Sequence, residues 1–397
     1  MRNMIINNEK CILCEKCIES CPFFAIQKNG DRLTIGEDCS ACGQCREVCP
    51  AGAIKMGESK KEAVNKEEWK HILVYIEYRH EKVHPITYQL IGKASELAAS
   101  SDDDVCGIVI GKNTALAKNQ LKHYQLKKVF LYETEEHFKA DLYEKLFSNC
   151  IDKMKPSVVL MGGTAEGRSL APRAATAFRT GLTADCTELI LRDNRELVQI
   201  RPAFGGNIMA QIVTPDTRPQ FATVRYNVMK PIEPDCEHET EFIAEAVEGA
   251  YSKLTILEAV PRPERKGIAQ QEILVVAGKG VKKKEDLAML EELAVLLGGE
   301  LASTRGVVEK GWVASDKQIG LSGQTVRPKL LIACGVSGSV QFMAGMSGAD
   351  NIIAINTDAD AKIFHIAHYP VCGDLYEIVP ELIKGIKHSV RDGIHLA

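Results

Sequence analysis

The sequence predicts an α/β protein in three parts: a small cysteine-rich α+β module followed by two larger bodies of parallel α/β structure. Three observations carry this. Residues 11–49 hold two copies of C-x2-C-x2-C-x3-C-P, the second offset by 28 positions. From Trp69 onward, β-rich runs alternate with helical ones at the spacing of right-handed parallel crossovers. After a stretch rich in Pro and charge, the alternation restarts at Ile273.

The totals set bounds. A chain of 397 residues is long enough for two or three domains. A net charge of −4 leaves no footprint of a nucleic-acid binder. The opening MRNMIINNEK lacks the apolar core of a signal peptide, and no apolar run approaches a membrane span. Eight thiols committed to oxygen-sensitive chemistry point to a reducing cytoplasm.

The cysteine repeat comes first because it carries chemistry. Cys11, Cys14, Cys17 and Cys21 recur as Cys39, Cys42, Cys45 and Cys49, with Pro22 and Pro50 closing the copies. Two-residue gaps let a tight loop aim three thiolates at one face of an iron–sulfur cubane. In the two-cluster form of the motif, the fourth ligand comes from the other copy. The expected sets are therefore Cys11, Cys14, Cys17 and Cys49 on one [4Fe-4S] cluster, and Cys39, Cys42, Cys45 and Cys21 on the second. Thiolates at such spacing also permit two zinc knots; the doubled four-cysteine run with its Cys-Pro endings favours iron. Residues 1–57 resemble the bacterial two-cluster ferredoxin module. The remaining cysteines (Cys106, Cys150, Cys186, Cys236, Cys334 and Cys372) lack ligand spacing and read as small buried hydrophobes.

Within the module, Ala25-Ile26 matches Ala53-Ile54, so a pseudo-symmetric pair of β–loop–helix units is expected, with Arg32–Ile35 as a hairpin strand. Residues 58–68 are polar and read as a linker. Residues 69–265 form a Rossmann-like α/β domain. Its strands are expected at Ile72–Ile76, Val105–Ile110, Val129–Tyr132 and Val158–Met161, and its helices over 86–99, 114–123 and 135–154. The segment 164–181 reads as a loop entering a helix. The runs Leu189–Arg192, Leu197–Arg201, Ile208–Val213 and Phe221–Arg225 read as antiparallel additions, and Leu254–Leu257 as a further strand. The stretches 226–240 and 259–270 read as hinge segments. The last domain, 271–397, is expected to be doubly wound, with strands at Ile273–Ala277, Leu330–Ala333, Ile352–Ile355 and Val371–Cys372. Leu287, Leu290, Leu293, Ala294 and Leu297 make an apolar helical stripe closed by Gly298-Gly299.

Three loops at strand ends in this last domain suit an extended phosphate-bearing ligand: Gly278-Lys279-Gly280, QIGLSG at 318–323 and GVSGS at 335–339. A helix starting near Lys284 would face the first of them. With Thr304-Arg305, GVSGSVQFMAGM at 335–346, AIN at 354–356 and Gly373-Asp374-Leu375, these stretches resemble the FAD-binding domain of electron-transfer flavoprotein alpha subunits. GRSLAPRAA (167–175), TGLTADCTEL (180–189) and RPAFGGNIMA (201–210) extend the resemblance into the preceding domain. The added cysteine module makes the chain similar to alpha subunits of electron-bifurcating acyl-CoA reductase complexes, of the caffeyl-CoA reductase kind.

The resemblance implies bound FAD and a role for each matching position. Arg305 would lie beside the isoalloxazine and favour its electron-rich form. Ser322 would hydrogen-bond near flavin N5, with Gln318 flanking the ring. Ser337, Gly338, Ser339 and Gln341 would hold the pyrophosphate and ribityl chain, and Asn356 and Asp374 the ribose-adenine end. Thr304, Ile319, Gly320, Leu321, Val340 and Leu375 belong to the same motifs. Lys279 keeps the charge of a family arginine without its bidentate fork. Phe342 stands where many members have a histidine that donates to the flavin, which leaves Arg305 with more of that task; equally, it reads as a core aromatic on its helix with no redox consequence. Arg168, after Gly162-Gly163, would either reach a ligand at the subunit interface or pair with a nearby carboxylate.

The implied partners are an electron-transfer flavoprotein beta subunit holding a second FAD, an acyl-CoA dehydrogenase-like subunit, and ferredoxin. The implied function is division of NADH electrons between this chain's FAD and its clusters, with the last domain swinging on its hinge segments. A non-bifurcating carrier that accepts electrons from ferredoxin, and a direct iron–sulfur flavin reductase, are the alternatives.

Overall fold

Backbone curvature repeats with the cysteines. In the computed structural model, Leu13, Glu15 and Phe24 are left-handed, and so are Ala41, Gly43 and Gly52, their equivalents 28 positions on. Residues 4–36, 39, 41–56, 64–101, 103–134, 137–206, 208–260 and 267–391 are described. They divide into two units, Met1–Val64 and Asn65–Ala397. In the first, β1 (Met4–Ile6) pairs antiparallel with β4 (Ile54–Met56), and β2 (Ile26–Asn29) with β3 (Arg32–Ile35). Each cysteine loop runs into a one-turn helix, α1 (Lys16–Glu19) or α2 (Gln44–Glu47). Met4, Ile26, Leu33 and Ile54 close the small core together with Cys17 and Cys45.

The second unit contains two parallel sheets. The first begins with β5 (Ile72–Ile76), the short ladder β6–β7 (Tyr78–Arg79, Lys82–Val83), α3 (Ile86–Ala98), β8 (Val105–Gly111) and α4 (Ala115–Leu121). It continues through β9 (Lys128–Glu133), α5 (Ala140–Met154), β10 (Val158–Gly162), α6 (Ala165–Ala177) and β11 (Leu182–Cys186). Then come β12 (Glu188–Leu191), β13 (Leu197–Ala203), β14 (Ile208–Ile212), β15 (Gln220–Val224) and β16 (Glu241–Glu245). The main sheet runs β11-β15-β10-β5-β8-β9-β16 and is parallel throughout. Both of its faces are covered: Ile72, Val74 and Ile76 of β5 pack under α3 and α4, whereas Leu73 and Tyr75 pack under α5 and α6. Strands buried on both sides read as unbroken apolar runs, which is why the sequence exposes them.

Four expectations change. Of the runs expected as antiparallel additions, only the first three form an antiparallel sheet, β12-β13-β14. The fourth, β15, lies inside the main sheet, paired in parallel with β10 and β11 and buried along its length. Helix α6 starts directly at Ala165, capped by Thr164, with no intervening loop. The Leu254–Leu257 segment has no strand partner and leaves Leu254 and Leu257 exposed; the strand is instead β16. Residues 226–240 are no hinge. They strap the edge of the same domain, with Ile232 N–H donating to Tyr88 O, Asp235 N–H to His123 O, and Met229 buried. Of the second hinge segment, 261–266 lies outside the described residues.

The last sheet comprises β17 (Ile273–Ala277), α7 (Leu287–Leu296), β18 (Glu300–Ser303), α8 (Arg305–Val308), β19 (Leu330–Cys334), α9 (Val340–Met343), β20 (Asn351–Asn356), β21 (Tyr369–Cys372) and α10 (Leu375–Arg391). Its order is β18-β17-β19-β20-β21, all parallel. Chain direction across the sheet reverses between β17 and β19, and at such a switch point the carboxyl ends of the strands leave a crevice. Helix α7 begins three residues later than expected. Asp286 folds the preceding turn instead, accepting from Lys283 N–H and from the Tyr376 hydroxyl.

Candidate functional site

Each half of the cysteine repeat completes the other. Cys11, Cys14, Cys17 and Cys49 line one cavity among Ile6, Leu33 and Ile54. Cys21, Cys39, Cys42 and Cys45 line a second among Met4, Ile26 and Ile35. All eight thiols are free. Ala25 N–H donates to Cys21 Sγ (3.4 Å) and Ala53 N–H to Cys49 Sγ (3.3 Å). Burial pushes the Cys17 and Cys45 thiols up, and the facing cysteines raise them further. Four thiolates can therefore share such an apolar cavity only around a cationic group. Among the described residues no three His, Cys, Asp or Glu side chains converge to hold a single metal ion.

The second site opens at the carboxyl ends of β17, β18 and β19, a cleft of about 360 Å3. Lys279, Thr304, Arg305, Ile319, Gly320, Leu321, Ser322, Ser337, Ser339, Gln341 and Phe342 line it, so four segments distant in sequence meet there. The loops that carry Lys279 and Val336 are joined by backbone: Gly280 N–H donates to Gly335 O (3.0 Å), and a Cβ on Gly278 would sit 2.1 Å from that oxygen. Ser322 accepts from Gln318 Nε2 (2.9 Å), which places Gln318 behind it. Ser339 caps α9 by accepting from Phe342 N–H. Phe342 itself is buried with Ile319, Val336 and Met346 beneath the cleft. Arg305, mostly exposed, donates from Nε to Glu309 Oε1 (2.8 Å), and Glu309 shares the lining. The Thr304 hydroxyl is buried with no protein partner, a donor left for a ligand.

The other expected residues stand around this lining. Gly338 packs against the Ile363 backbone and Val340 is exposed. Asn356 Nδ2 donates to Val336 O (2.8 Å) and so braces the 335–339 loop. Asp374 accepts from Tyr376 N–H at the end of β21, and Leu375 is buried against α7 and β20. Gly306 and Glu309 join the lining without having been singled out in the sequence. So does a contact from the neighbouring sheet, Arg225 Nη2 to Leu321 O (3.1 Å).

The switch point of the first sheet, between β5 and β10, is filled by the chain's own side chains. Glu166 accepts from the Tyr75 hydroxyl and from Arg79, and Glu77 accepts from the Thr164 hydroxyl. Burial raises both carboxyls. Arg168 pairs with Asp185 through Nε and Nη2, the carboxylate alternative among its expected roles. Of the six scattered cysteines, Cys106, Cys150, Cys186 and Cys334 are buried, with Cys186 and Cys334 each pushed up to about 12 by desolvation. Cys236 and Cys372 are exposed, because each lies at the edge of its domain and not in its core.

A cysteine module with two four-thiol cavities, joined to a parallel sheet with a nucleotide-sized crevice, defines an iron–sulfur flavoprotein. The family models agree: a 4Fe-4S dicluster domain matches residues 4–56, an electron transfer flavoprotein domain 72–253, and an electron transfer flavoprotein FAD-binding domain 267–347. The chain is 45% identical over 377 residues to the LctC subunit of lactate dehydrogenase (NAD(+),ferredoxin) from Acetobacterium woodii, covering 94% of this chain and 90% of that protein. It is 38% identical to electron transfer flavoprotein subunit alpha from Clostridium acetobutylicum, over 82% of this chain and 99% of the relative. The corresponding subunit from Megasphaera elsdenii is also 38% identical, over 81% and 97%. The chain belongs to the electron transfer flavoprotein alpha-subunit family, in a form that carries FAD and two [4Fe-4S] clusters. Alpha subunits of this family pair with a beta subunit. Among the described residues no helix is long and apolar enough to cross a membrane.

Proposed function

We propose that this chain is the electron-transfer subunit of a flavin-based electron-bifurcating complex in the cytoplasm. It would link an NADH-reduced flavin on the beta subunit to its own FAD and, through its clusters, to ferredoxin. The observation that carries this reading is the presence in one polypeptide of two four-thiol cavities and a flavin cleft. A relative matched over nearly the whole chain, whose name couples NAD with ferredoxin, supports it. Residues 1–57, 69–265 and 271–397 are the functional domains of this reading, with 58–68 as linker.

Bound FAD exchanges one or two electrons and each cluster exchanges one, so together they can divide a hydride donor's electron pair. The residues' task is to hold these groups. Cys11, Cys14, Cys17 and Cys49 ligate one cluster, and Cys21, Cys39, Cys42 and Cys45 the other. The N–H groups of Ala25 and Ala53 offset thiolate charge on Cys21 and Cys49. Gln318 fixes the Ser322 hydroxyl at the flavin ring. Lys279 and Arg305 bring positive charge to the cleft. Ser337, Ser339 and Gln341 hold the pyrophosphate and ribityl chain, while Asn356 and Asp374 serve the adenine end.

The dehydrogenase beyond the FAD has two readings. The family resemblance favours an acyl-CoA dehydrogenase-type partner, and the relative named a lactate dehydrogenase favours one acting on a 2-hydroxy acid. The complex purified with its native partners decides, assayed with an enoyl-CoA and with lactate or pyruvate. Bifurcation predicts that ferredoxin reduction and substrate turnover by NADH depend on each other. Full-rate NADH oxidation by the organic acceptor without ferredoxin would leave a plain carrier.

A further inference from the structure

The flavin loop of the last sheet is gripped from the preceding domain at adjoining points. The Leu321 side chain lies over Gly206, where an added Cβ would come within 2.6 Å of its Cδ1. Asn227, just beyond β15, donates from Nδ2 to Ala269 O (2.9 Å) and Thr325 O (3.3 Å). Between them Arg225 Nη2 donates to Leu321 O (3.1 Å). Leu321 N–H meanwhile donates to Gln341 O (2.9 Å), so both ends of this cleft-lining residue are tied.

Arg225 differs from an ordinary interface arginine. It is half-buried, and its Nη1 is buried without a protein partner. Asp185, the carboxylate whose charge it feels, is engaged by both Nε and Nη2 of Arg168. The guanidinium charge is therefore spent on a backbone carbonyl of the flavin loop and, among the described residues, on no carboxylate. A cation donating to the Leu321 carbonyl fixes the Leu321-Ser322 peptide, and with it the hydroxyl that Gln318 holds at the ring position. It also places positive charge beside the cleft, where charge favours the reduced flavin.

We propose that Arg225 is a positioning residue for the flavin site, holding the loop 318–323 and raising the flavin's potential while the two sheets are docked. The cation belongs to one sheet and the loop to the other, so any separation of the sheets removes both effects together. This inference rests on the reading that the cleft binds FAD through the loops at 318–323 and 335–339.

The test uses the full chain with its beta subunit and compares Arg225→Gln, Arg225→Lys and a Ser337→Ala/Ser339→Ala cleft variant. FAD titration and spectroelectrochemistry supply the readouts. The Gln variant is expected to weaken FAD binding about tenfold and lower the potential of this FAD. The Lys variant, which keeps the charge but not the planar guanidinium that reaches Leu321 O, should recover most of the potential and less of the affinity. A Gln variant with wild-type affinity and potential overturns the inference. If the cleft variant binds FAD like wild type, the cleft reading fails instead. Should the Gln variant not fold, an Arg225→Met variant with wild-type FAD affinity and potential would overturn the inference in its place.

Discussion

Replacing Gly278 by Ala tests how the flavin crevice is built. Gly278 sits where β17 ends and β19 turns away, and its Cβ would lie 2.1 Å from Gly335 O, 2.5 Å from Gly335 C and 2.7 Å from Val336 Cα. Those are backbone atoms, which cannot rotate aside as a side-chain tip can. The loops must separate by roughly 1 Å to reach ordinary contact. That movement strains the hydrogen bond from Gly280 N–H to Gly335 O. Overpacking costs about 1–3 kcal/mol and the weakened bond about 1 kcal/mol, so a total of about 2–4 kcal/mol is expected. Gly298→Ala is the matched control. It has φ +72° with nothing within 4 Å of the new Cβ, so about 1–2 kcal/mol of backbone strain arises away from the cleft. Urea unfolding gives the stability change, and flavin absorbance per chain gives the occupancy. Gly278→Ala should lose both stability and FAD, and Gly298→Ala stability alone. A Gly278→Ala variant that keeps full FAD occupancy and loses under about 0.5 kcal/mol would refute the claim that backbone contact at the switch point shapes the cleft.

Cys49→Ser should cost only the cluster whose cavity it shares with Cys11, Cys14 and Cys17, so iron per chain falls from about eight to about four. Loss of all iron would contradict the crossed pairing. Thr164→Ala removes the cap of α6, which accepts from Gly167 N–H, and the hydroxyl that serves buried Glu77; about 1–2 kcal/mol should be lost in a thermal or urea melt. His84 is held below its ordinary value by burial first and by Arg79 next. The unfolded chain therefore binds more protons as pH falls through about 6.5, and stability should fall with it. His84→Gln should flatten the difference in melting temperature between pH 7.5 and pH 6; an unchanged slope would refute that linkage.

Legibility in the sequence followed periodicity and repetition. The cysteine sets were readable because spacing, offset and proline endings recur. The buried strands were readable because β5, β8 and β10 are continuous apolar runs. Edge strand β16, EFIAE, was missed because it has charged ends and one partner, so it shows neither a clear run nor a clean alternation. The reverse error at Leu254–Leu257 has the same root: apolar residues suggest a strand, but a strand also needs an open edge to pair with. Arg225 carried no signal at all. A single arginine after a strand acquires meaning only when folding brings a carbonyl from 96 positions away to its guanidinium.

The two switch points show why architecture alone could not have located the flavin. Both sheets are parallel, both reverse direction beside their first strand, and both offer a crevice at the carboxyl ends. In the last sheet, the loops at Gly278-Gly280 and Gly335 meet through backbone, and the buried Thr304 hydroxyl has no partner among the described residues. In the first, Glu77 and Glu166 occupy the equivalent space. Glu166 stands in the first turn of α6, where the helix dipole favours an anion, so the chain's own carboxylate takes the place a phosphate would occupy. Arg79 completes its charge balance, and the Tyr75 hydroxyl satisfies its second oxygen. The same fold thus yields an open cofactor cleft at one switch point and a cluster of the chain's own carboxylates at the other, and the difference lies in a few side chains at strand ends. The domain with the carboxylates is left to support its neighbour, through Gly206, Arg225 and Asn227.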